Sequence, residues 1–209
     1  MITIINYGAG NLFSVEKAFA ALGAKVRVSG KADDILASDK IVLPGVGAFG
    51  DCMMQLKASG LIPAIRECVD RKMPLLGVCV GLQILFAGSE ESSGVEGLGF
   101  LDGCVQKISA PHEKIPHMGW NALDIAQAHR DNGLLVGVPQ GSYVYFVHSY
   151  HAVPEDKDIV SSTCFYGEEI TASISAGNIM ATQFHPEKSG DIGLNIIQNF
   201  IRHGQEGSR

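Results

Sequence analysis

Short apolar runs alternate with helix-spaced apolar positions along the chain as far as Gly88. The apolar runs predict strands at residues 2–6, 40–43 and 74–78, and residues 25–28 are expected to form a further strand. Apolar residues with a helical period predict helices between them, at residues 12–22, 51–58 and 61–71. The run at 74–78 has no polar interruption, as expected of a strand that is covered on both faces. This β-α-β order predicts a parallel sheet with crossover helices.

Beyond Gly88 the pattern changes to short strands separated by frequent glycines. Alternating polarity predicts an antiparallel or mixed portion, with strands at residues 143–147, 159–165, 170–174 and 179–184. Ile192, Ile196 and Phe200 share one face of a final amphipathic helix at 191–203. We find no repeat and no linker. We therefore expect a single α/β domain over residues 1–203, with a mixed, mostly parallel central sheet flanked by helices, and a frayed tail at 204–209.

Composition and charge exclude several classes of function. The 209-residue chain is 46% hydrophobic, which is enough for a sizeable core, and its formal net charge is -6. It has no cluster of lysine and arginine, so we expect no binding to nucleic acid or to a membrane surface. It also has no run of about 20 apolar residues that could span a bilayer. The short apolar N-terminus lacks a basic leader and is predicted to be a strand rather than a signal peptide.

The chain has five cysteines, and their spacing indicates reduced thiols. The number is odd and no pair has the C-x-x-C spacing, which argues against a disulfide framework and against a zinc or other metal site. A cytoplasmic protein is the simplest interpretation. We expect four of the five to be buried core residues, namely Cys52, Cys68, Cys104 and Cys164.

Cys79 differs from the other cysteines because it lies between a predicted strand and a predicted helix, in the sequence Gly77-Val78-Cys79-Val80-Gly81. This is the form of a nucleophile elbow, in which flanking glycines let neighbouring segments pack closely against a tight turn. The helix N-terminus would favour a thiolate, and the N–H group of Val80 would point towards a substrate oxyanion. Most cysteines in such a position are core residues, so the hypothesis depends on partners elsewhere in the chain.

A candidate base and its orienting acid follow the last predicted strand, at His185 and Glu187. Residues two apart in an extended segment face the same side, so the carboxylate could hold the imidazole while Pro186 restricts the backbone between them. A His-x-Glu sequence alone is weak evidence. Together with the cysteine elbow it predicts a Cys79–His185–Glu187 triad. His148 and His151 flank another strand end and are expected to line a pocket.

The glycine-rich segment after the third predicted strand is a candidate for the rest of an oxyanion hole. In a parallel sheet the carboxyl ends of the strands share one edge, so this segment, which contains Gly45 and Val46, should lie beside Cys79. A backbone N–H group from it could act together with that of Val80. An ordinary strand-to-helix turn is an equally good interpretation of these residues. A phosphate-binding loop is disfavoured, because a third glycine and a Walker lysine are missing.

With these residues identified, the chain resembles the class I, or triad-type, glutamine amidotransferases. The resemblance is closest to the glutaminase subunits of imidazole glycerol phosphate synthases, and it spans residues from about 2 to about 203. The general motifs are GVCVGLQ at 77–83 and QFHPE at 183–187. The more specific motifs are YGAGN at 7–11, PGVGAF at 44–49, PHMGWN at 116–121, YFVHSY at 145–150 and Lys188-Ser189. Asn6 and Val80 depart mildly from the residues that are common in the family.

The resemblance implies a flavodoxin-like three-layer domain that hydrolyses glutamine without a cofactor. Cys79 would attack the side-chain amide and form a γ-glutamyl thioester, with His185 and Glu187 completing the triad. Gly45, Val46 and Val80 would hold the oxyanion. Three further residues would position the glutamine, namely Gln83, Ser149 and Tyr150.

The resemblance also implies a heterodimer with a cyclase subunit that is a (β/α)₈ barrel. That partner would use the ammonia to form imidazole glycerol phosphate and AICAR in histidine biosynthesis. Asn11, Trp120 and Lys188 would face it. Read alone, Asn11 would be a helix cap and Trp120 would be a core residue, so both assignments depend on the motifs around them.

Three other functions stay open at this point. The first is a glutaminase that serves pyridoxal-phosphate synthase, although the segment 116–121 argues against it. The second is a cysteine peptidase on the same scaffold, which would act without a partner. The third is a binding module without catalytic activity.

Overall fold

The computed structural model describes residues 1–131 and 133–204. The helices of these residues are α1 (Leu12–Ala21), α2 (Ala32–Leu36), α3 (Phe49–Ser59), α4 (Ile62–Asp70), α5 (Val80–Gln83) and α6 (Gly190–Arg202). The strands are β1 (Ile2–Ile5), β2 (Val26–Ser29), β3 (Lys40–Gly45), β4 (Leu75–Cys79), β5 (Gly103–Lys107), β6 (His117–Ala122), β7 (Asp124–Ile125), β8 (Tyr143–His148), β9 (Tyr150–Pro154), β10 (Val160–Tyr166), β11 (Glu168–Ala176) and β12 (Ile179–Thr182).

One eight-stranded sheet organises the protein, in the order β2-β1-β3-β4-β12-β11-β10-β7. The first five strands in this order, β2, β1, β3, β4 and β12, pair in parallel. The remaining three are added antiparallel. Every residue of β3 and β4 is buried, which accounts for the apolar sequence of β4 and of β3 after Lys40. The predicted α/β class, with a mixed and mostly parallel sheet, is confirmed.

The helices pack against the central sheet and against one another. On one side α1 packs against α6, where the rings of Phe19 and Phe200 meet edge to face at 6.2 Å. α2 packs against α4. The buried ammonium group of Lys40, at the start of β3, donates to the carbonyl groups of Phe200, Ile201 and His203 at 2.8, 2.5 and 2.6 Å. These bonds satisfy carbonyl groups at the end of α6 that have no partner within the helix.

Several predicted elements differ from the structure in their bounds or their place. The segment at 143–147 is not part of the central sheet, because β8 pairs with β6 in a separate antiparallel hairpin. β12 is the last strand in the sequence, yet it lies in the centre beside β4. Pro44 and Gly45 continue β3 rather than ending it. The short helix α2 was not predicted, and the predicted tail lies, apart from Gly204, outside the described residues.

The start of α3 shows why a helix boundary was misplaced. The helix predicted at 51–58 begins two residues earlier, because α3 starts at Phe49, and Ala48 before it offers no capping side chain. Instead, the carboxylate of Glu91 accepts from the N–H group of Phe49 at 2.7 Å, and the Ser92 hydroxyl accepts from that of Gly50 at 3.0 Å. The cap therefore comes from a segment about 40 residues away along the chain.

Candidate active site

The carboxyl ends of β3, β4 and β12 meet at one edge of the sheet. Gly45 is the register partner of Cys79, and Thr182 is that of Val78. The segment that follows β12 therefore begins next to the end of β4. This register brings together three regions of the chain that are far apart in sequence, as expected for parallel strands.

Cys79 has the backbone conformation of a nucleophile elbow. Its φ and ψ angles are 56° and -113°, a strained combination for a residue with a side chain, which costs about 1–3 kcal/mol. α5 begins at the next residue but has only four residues. Its dipole can support a thiolate less than that of a longer helix would, because few peptide groups are aligned.

Three glycines make this turn possible by close backbone approach. A Cβ atom at Gly81 would lie 1.9 Å from the carbonyl oxygen of Leu43, and one at Gly45 would lie 2.6 Å from the nitrogen of Gly81. A Cβ atom at Gly77 would lie 2.8 Å from the carbonyl oxygen of Gly81. Side chains at these positions would push α5 away from β3 and β4. The glycine frame around Cys79 is therefore a packing requirement.

The predicted base and acid are in contact. His185 Nδ1 is 2.8 Å from Glu187 Oε1, and the two side chains are only 2% and 1% exposed. The expected conformation is wrong, however, because Glu187 lies in a 3₁₀-helix, Pro186–Lys188, and not in an extended segment. A main-chain bond to β8 holds the base, since the N–H group of His185 donates to the carbonyl of Tyr145 at 2.9 Å.

The surroundings of His185 favour its charged form. Burial lowers its pKa, but the sulfur of Cys79 and the carboxylate of Glu187 raise it more, from 6.5 to about 9. Among the described residues, Nε2 of His185 has no hydrogen bond of good geometry, so this atom is free to exchange a proton with a reacting group. The arrangement is that of a cysteine–histidine pair with a carboxylate behind the imidazole.

Two buried glutamine side chains lie beneath the nucleophile. The amide of Gln83 donates to the carbonyl of Tyr150 at 2.9 Å and to Oε1 of Gln183 at 3.1 Å. The amide of Gln183 donates in turn to the sulfur of Cys79 at 3.8 Å. Gln183 is completely buried. Sequence reasoning gave it no role, although it begins the segment that contains His185 and Glu187.

A cavity of about 310 Å³ opens above Cys79. This volume suits a small ligand. All the predicted oxyanion and glutamine-binding residues except Gly45 line it, together with Gly47, Glu91, Pro116, Val147 and His148. His151 was also expected to line a pocket, but it is buried elsewhere, with Nε2 at 3.7 Å from Glu168. Gly45 lies directly behind the cavity, in register with Cys79.

Two side chains tether the backbone on either side of Gly45. The hydroxyl of Tyr7 donates to the carbonyl of Pro44 at 2.7 Å, and the thiol of Cys52 donates to the carbonyl of Val46 at 3.4 Å. Cys52 is buried as expected, and burial raises the pKa of its thiol. Cys104, in contrast, is half-buried rather than a core residue.

Exposed aromatic and apolar side chains lie beside the site. Trp120 is 55% exposed on β6, against Tyr145 of β8, and the ammonium group of Lys188 lies 5.9 Å from the Tyr145 ring. Asn11 accepts from the N–H group of Ser14 and so caps α1, the role that it has when read alone. Four more exposed residues were not predicted as part of a surface, namely Phe13, Met118, Tyr143 and Phe165.

Over residues 1–131 and 133–204, no group of three or more His, Cys, Asp or Glu side chains is placed to hold a metal ion. In the same part of the chain, every helix falls short of the length and apolarity that a bilayer span requires.

Comparison with known proteins adds to this geometry. A family model described as "Glutamine amidotransferase class-I" matches residues 3–203. The imidazole glycerol phosphate synthase subunit HisH of Moorella thermoacetica is 47% identical over 205 residues, which cover 97% of this chain and 96% of that protein. The chloroplastic imidazole glycerol phosphate synthase hisHF of Arabidopsis thaliana is 43% identical over 96% of this chain and 34% of the longer plant chain. The structure of PurLQS from Thermotoga maritima has a TM-score of 0.73 at 19% identity, with 96% and 97% of the two chains covered, and supports the fold alone.

Proposed function

The chain belongs to the class-I glutamine amidotransferase family, and from this premise we propose that it is the glutaminase subunit of an imidazole glycerol phosphate synthase. It hydrolyses glutamine to glutamate and ammonia. A partner cyclase uses the ammonia to form imidazole glycerol phosphate and AICAR in histidine biosynthesis. The observation that carries the chemistry is the buried contact between His185 and Glu187 beside the strained Cys79. The similarity to subunit HisH over nearly the whole chain supports the choice of acceptor reaction.

In the first half of the reaction, the thiolate of Cys79 attacks the side-chain carbonyl carbon of glutamine. A carbon–sulfur bond forms and the carbonyl oxygen becomes negatively charged. As the carbon–nitrogen bond breaks, imidazolium His185 gives its Nε2 proton to the departing nitrogen, and ammonia leaves. Glu187 stabilises the imidazolium and holds its orientation through Nδ1. The raised pKa of His185, about 9, keeps this proton available at neutral pH.

In the second half, water hydrolyses the thioester. His185, now neutral, takes a proton from the water as it attacks the carbonyl carbon. Collapse of the tetrahedral intermediate releases glutamate and restores the thiolate–imidazolium pair. The cavity above Cys79 has room for both glutamine and this water.

The N–H group of Val80, at the start of α5, is the first donor for the oxyanion. The peptide between Gly45 and Val46 is the second, and it has to present its N–H group to the cavity that Val46 lines. Gln83, Ser149 and Tyr150 position the glutamine from the other side.

The partner cyclase docks on the exposed surface formed by Asn11, Trp120 and Lys188. This surface lies at the same edge of the molecule as the cavity, because Lys188 directly follows Glu187 and Trp120 pairs with Tyr145 on the strand that holds His185. Phe13 is 67% exposed and Met118 is 62% exposed, and both extend it. Exposed aromatic side chains of this kind are typical anchors of protein interfaces. The Arabidopsis hisHF chain, about two thirds of which lies outside the similarity, is consistent with such a partner.

The proposal is tested by measuring glutamate release by the purified chain alone, with the cyclase, and with the cyclase plus its acceptor substrate. We expect little activity alone and strong stimulation in the full mixture. Activity that stays unchanged by the cyclase and acceptor would refute the assignment of the partner. Efficient cleavage of peptides without any partner would favour a peptidase instead.

The Cys79→Ala variant separates catalysis from binding. We expect its complex with the cyclase to release no glutamate from glutamine but to make imidazole glycerol phosphate when ammonia is supplied. Undiminished glutamine hydrolysis would refute the role of Cys79. All five cysteines are free. Because the reaction needs a thiolate, the reducing cytoplasm is the compartment that suits the protein.

A further inference from the structure

Two buried histidines outside the triad form a hydrogen-bonded pair next to the cavity. His117 Nδ1 lies 3.0 Å from His148 Nε2, and His148 Nδ1 lies 2.9 Å from the carbonyl oxygen of Tyr150. On the other side, the amide nitrogen of Asn121 lies 3.3 Å from His117 Nε2. His117 and His148 are 2% and 6% exposed. The proposed reaction uses neither residue.

Asn121, His117, His148 and the Tyr150 carbonyl form a series of hydrogen bonds. Backbone groups at the two ends of this series fix the direction of every bond in it. The carbonyl of Tyr150 can only accept, so Nδ1 of His148 carries the proton. At the other end, Oδ1 of Asn121 accepts from the N–H group of Ala122 at 2.8 Å, which turns the amide nitrogen towards His117. His117 therefore accepts at Nε2 and donates from Nδ1 to Nε2 of His148. Both rings have the Nδ1–H tautomer, and each neutral ring makes one bond as donor and one as acceptor.

Both histidines are uncharged at neutral pH. Burial lowers the pKa of His117 to about 4 and that of His148 to about 3. The hydrogen bonds also favour a neutral His148, because the only lone pair on which it could take a proton already accepts from His117. A neutral His148 matters here, since a second positive charge beside the imidazolium of His185 would repel it.

The carbonyl of Tyr150 joins this pair to the catalytic cysteine. It accepts from His148 on one side and from the Gln83 amide on the other. Gln83 then donates to Gln183, whose amide faces the sulfur of Cys79. A rotation of the Tyr150 peptide would break both bonds to its carbonyl and leave the Gln83 amide, buried at 3% exposure, without one of its partners.

We propose that His117 and His148 are positioning residues, which hold the Tyr150 carbonyl in the orientation that Gln83 and, through Gln183, the sulfur of Cys79 require. His117 does not line the cavity, so it acts on the reaction only through His148, which does. The inference deepens the proposed glutaminase function and depends on it.

Two substitutions of His117 separate positioning from packing. His117 is stacked between the rings of Phe146 and Tyr166, with centroid distances of 4.7 and 4.1 Å. In His117→Phe the stacked ring remains but the donor to His148 is lost. In His117→Asn the amide nitrogen takes the place of Nδ1 and can still donate to His148, but the stacked ring is lost. The more active variant should therefore be the less stable one.

The experiment measures glutaminase kcat and KM of the complex with cyclase and acceptor, together with the unfolding temperature of each variant. We expect kcat/KM to fall about tenfold in His117→Phe, because a buried acceptor on His148 loses its donor. In His117→Asn we expect it to stay within about threefold of the unchanged protein, despite the lower unfolding temperature. Activities that follow the unfolding temperatures, or that fall equally in both variants, would overturn the proposal.

A measurement on the unchanged protein completes the test and does not depend on the folding of any variant. Nitrogen-15 NMR of histidine-labelled complex at neutral pH should show His117 and His148 protonated at Nδ1 and bare at Nε2. A proton on Nε2 of either ring would overturn the inference. The unchanged complex also distinguishes failure of the proposed function from failure of the positioning role. If it shows no stimulated glutaminase, the proposed function fails. If the unchanged complex shows stimulated glutaminase and His117→Phe has the same kcat/KM, only the positioning role fails.

Discussion

A methyl group at residue 81 would test whether close packing of α5 against β3 sets the geometry of the nucleophile. In Gly81→Ala the new Cβ atom would lie 1.9 Å from the carbonyl oxygen of Leu43. Real Cβ atoms stay beyond 3.0 Å from such atoms, so α5 or β3 must shift by about 1 Å. Cys79 immediately precedes α5 and would move with it. A displacement of this size at a reacting atom costs about 100-fold in rate.

The matched control is Gly88→Ala. A Cβ atom at Gly88 would meet nothing closer than 3.7 Å, and its φ angle is in the ordinary range, so this substitution should leave both activity and stability nearly unchanged. The assay is glutamate release by the complex with cyclase and acceptor, with ammonia-dependent synthesis as a check that the complex still assembles. We expect Gly81→Ala to lose at least about 100-fold in glutaminase kcat/KM. Retention of activity within about threefold, with an unchanged unfolding temperature, would refute the packing argument.

Further predictions concern the acid, a buried histidine, a buried lysine and the exposed tryptophan. Glu187→Gln should lower glutaminase kcat by about 100-fold, because imidazolium His185 loses its carboxylate, but by less than Cys79→Ala; an equal and total loss would mean that Glu187 does more than orient the base. His117 has a folded-state pKa of about 4, below its ordinary 6.5, so the stability that it supports is complete above pH 6.5 and declines as pH falls towards 4. The free energy of unfolding of His117→Phe should therefore fall less steeply over this range than that of the unchanged protein, by up to about 1.4 kcal/mol per pH unit, and parallel curves from urea titrations would contradict this. Lys40→Met should lower the free energy of unfolding by about 2 kcal/mol, measured by the same titrations, because three carbonyl groups at the end of α6 lose their donor; a neutral effect would show that burying the charge costs as much as the bonds provide. Trp120→Ala should weaken binding to the cyclase by about 30-fold in calorimetry without changing the unfolding temperature, and unchanged affinity would remove Trp120 from the interface.

The first half of the fold could be predicted from the sequence because most of its strands contain a short apolar run, with β2 (VRVS) as the exception. The run at 74–78 corresponds to β4, which is shifted by one residue, and its burial on both faces follows from its composition. The short helix α2 was missed, since five residues show too little periodicity. The second half was harder, because local polarity cannot tell a strand of the central sheet from one in a separate hairpin such as β6–β8.

The triad residues could be proposed from the sequence because two short motifs frame them. The contact of His185 with Glu187 was expected for the wrong reason, since a 3₁₀ turn rather than an extended segment brings the two together. Neither the amide of Gln183 beneath Cys79 nor the cap that Glu91 provides for α3 could be predicted. Both depend on contacts between residues about 40 to 100 positions apart, which local patterns do not encode.

The bonds from Lys40 to the end of α6 also determine how this protein can be joined to another chain. Lys40 begins β3, whereas Gly45, in register with Cys79, ends it, so α6 finishes at the edge of the sheet opposite the cavity. A tag or domain added after His203 would leave the glutamine pocket open. A cyclase fused there and docked beside Trp120 would need a linker that runs back along the length of the sheet, about 20 Å for the six residues of β3. In single-chain versions of such an enzyme, linker length is therefore a geometric variable that sets whether the two active sites can meet.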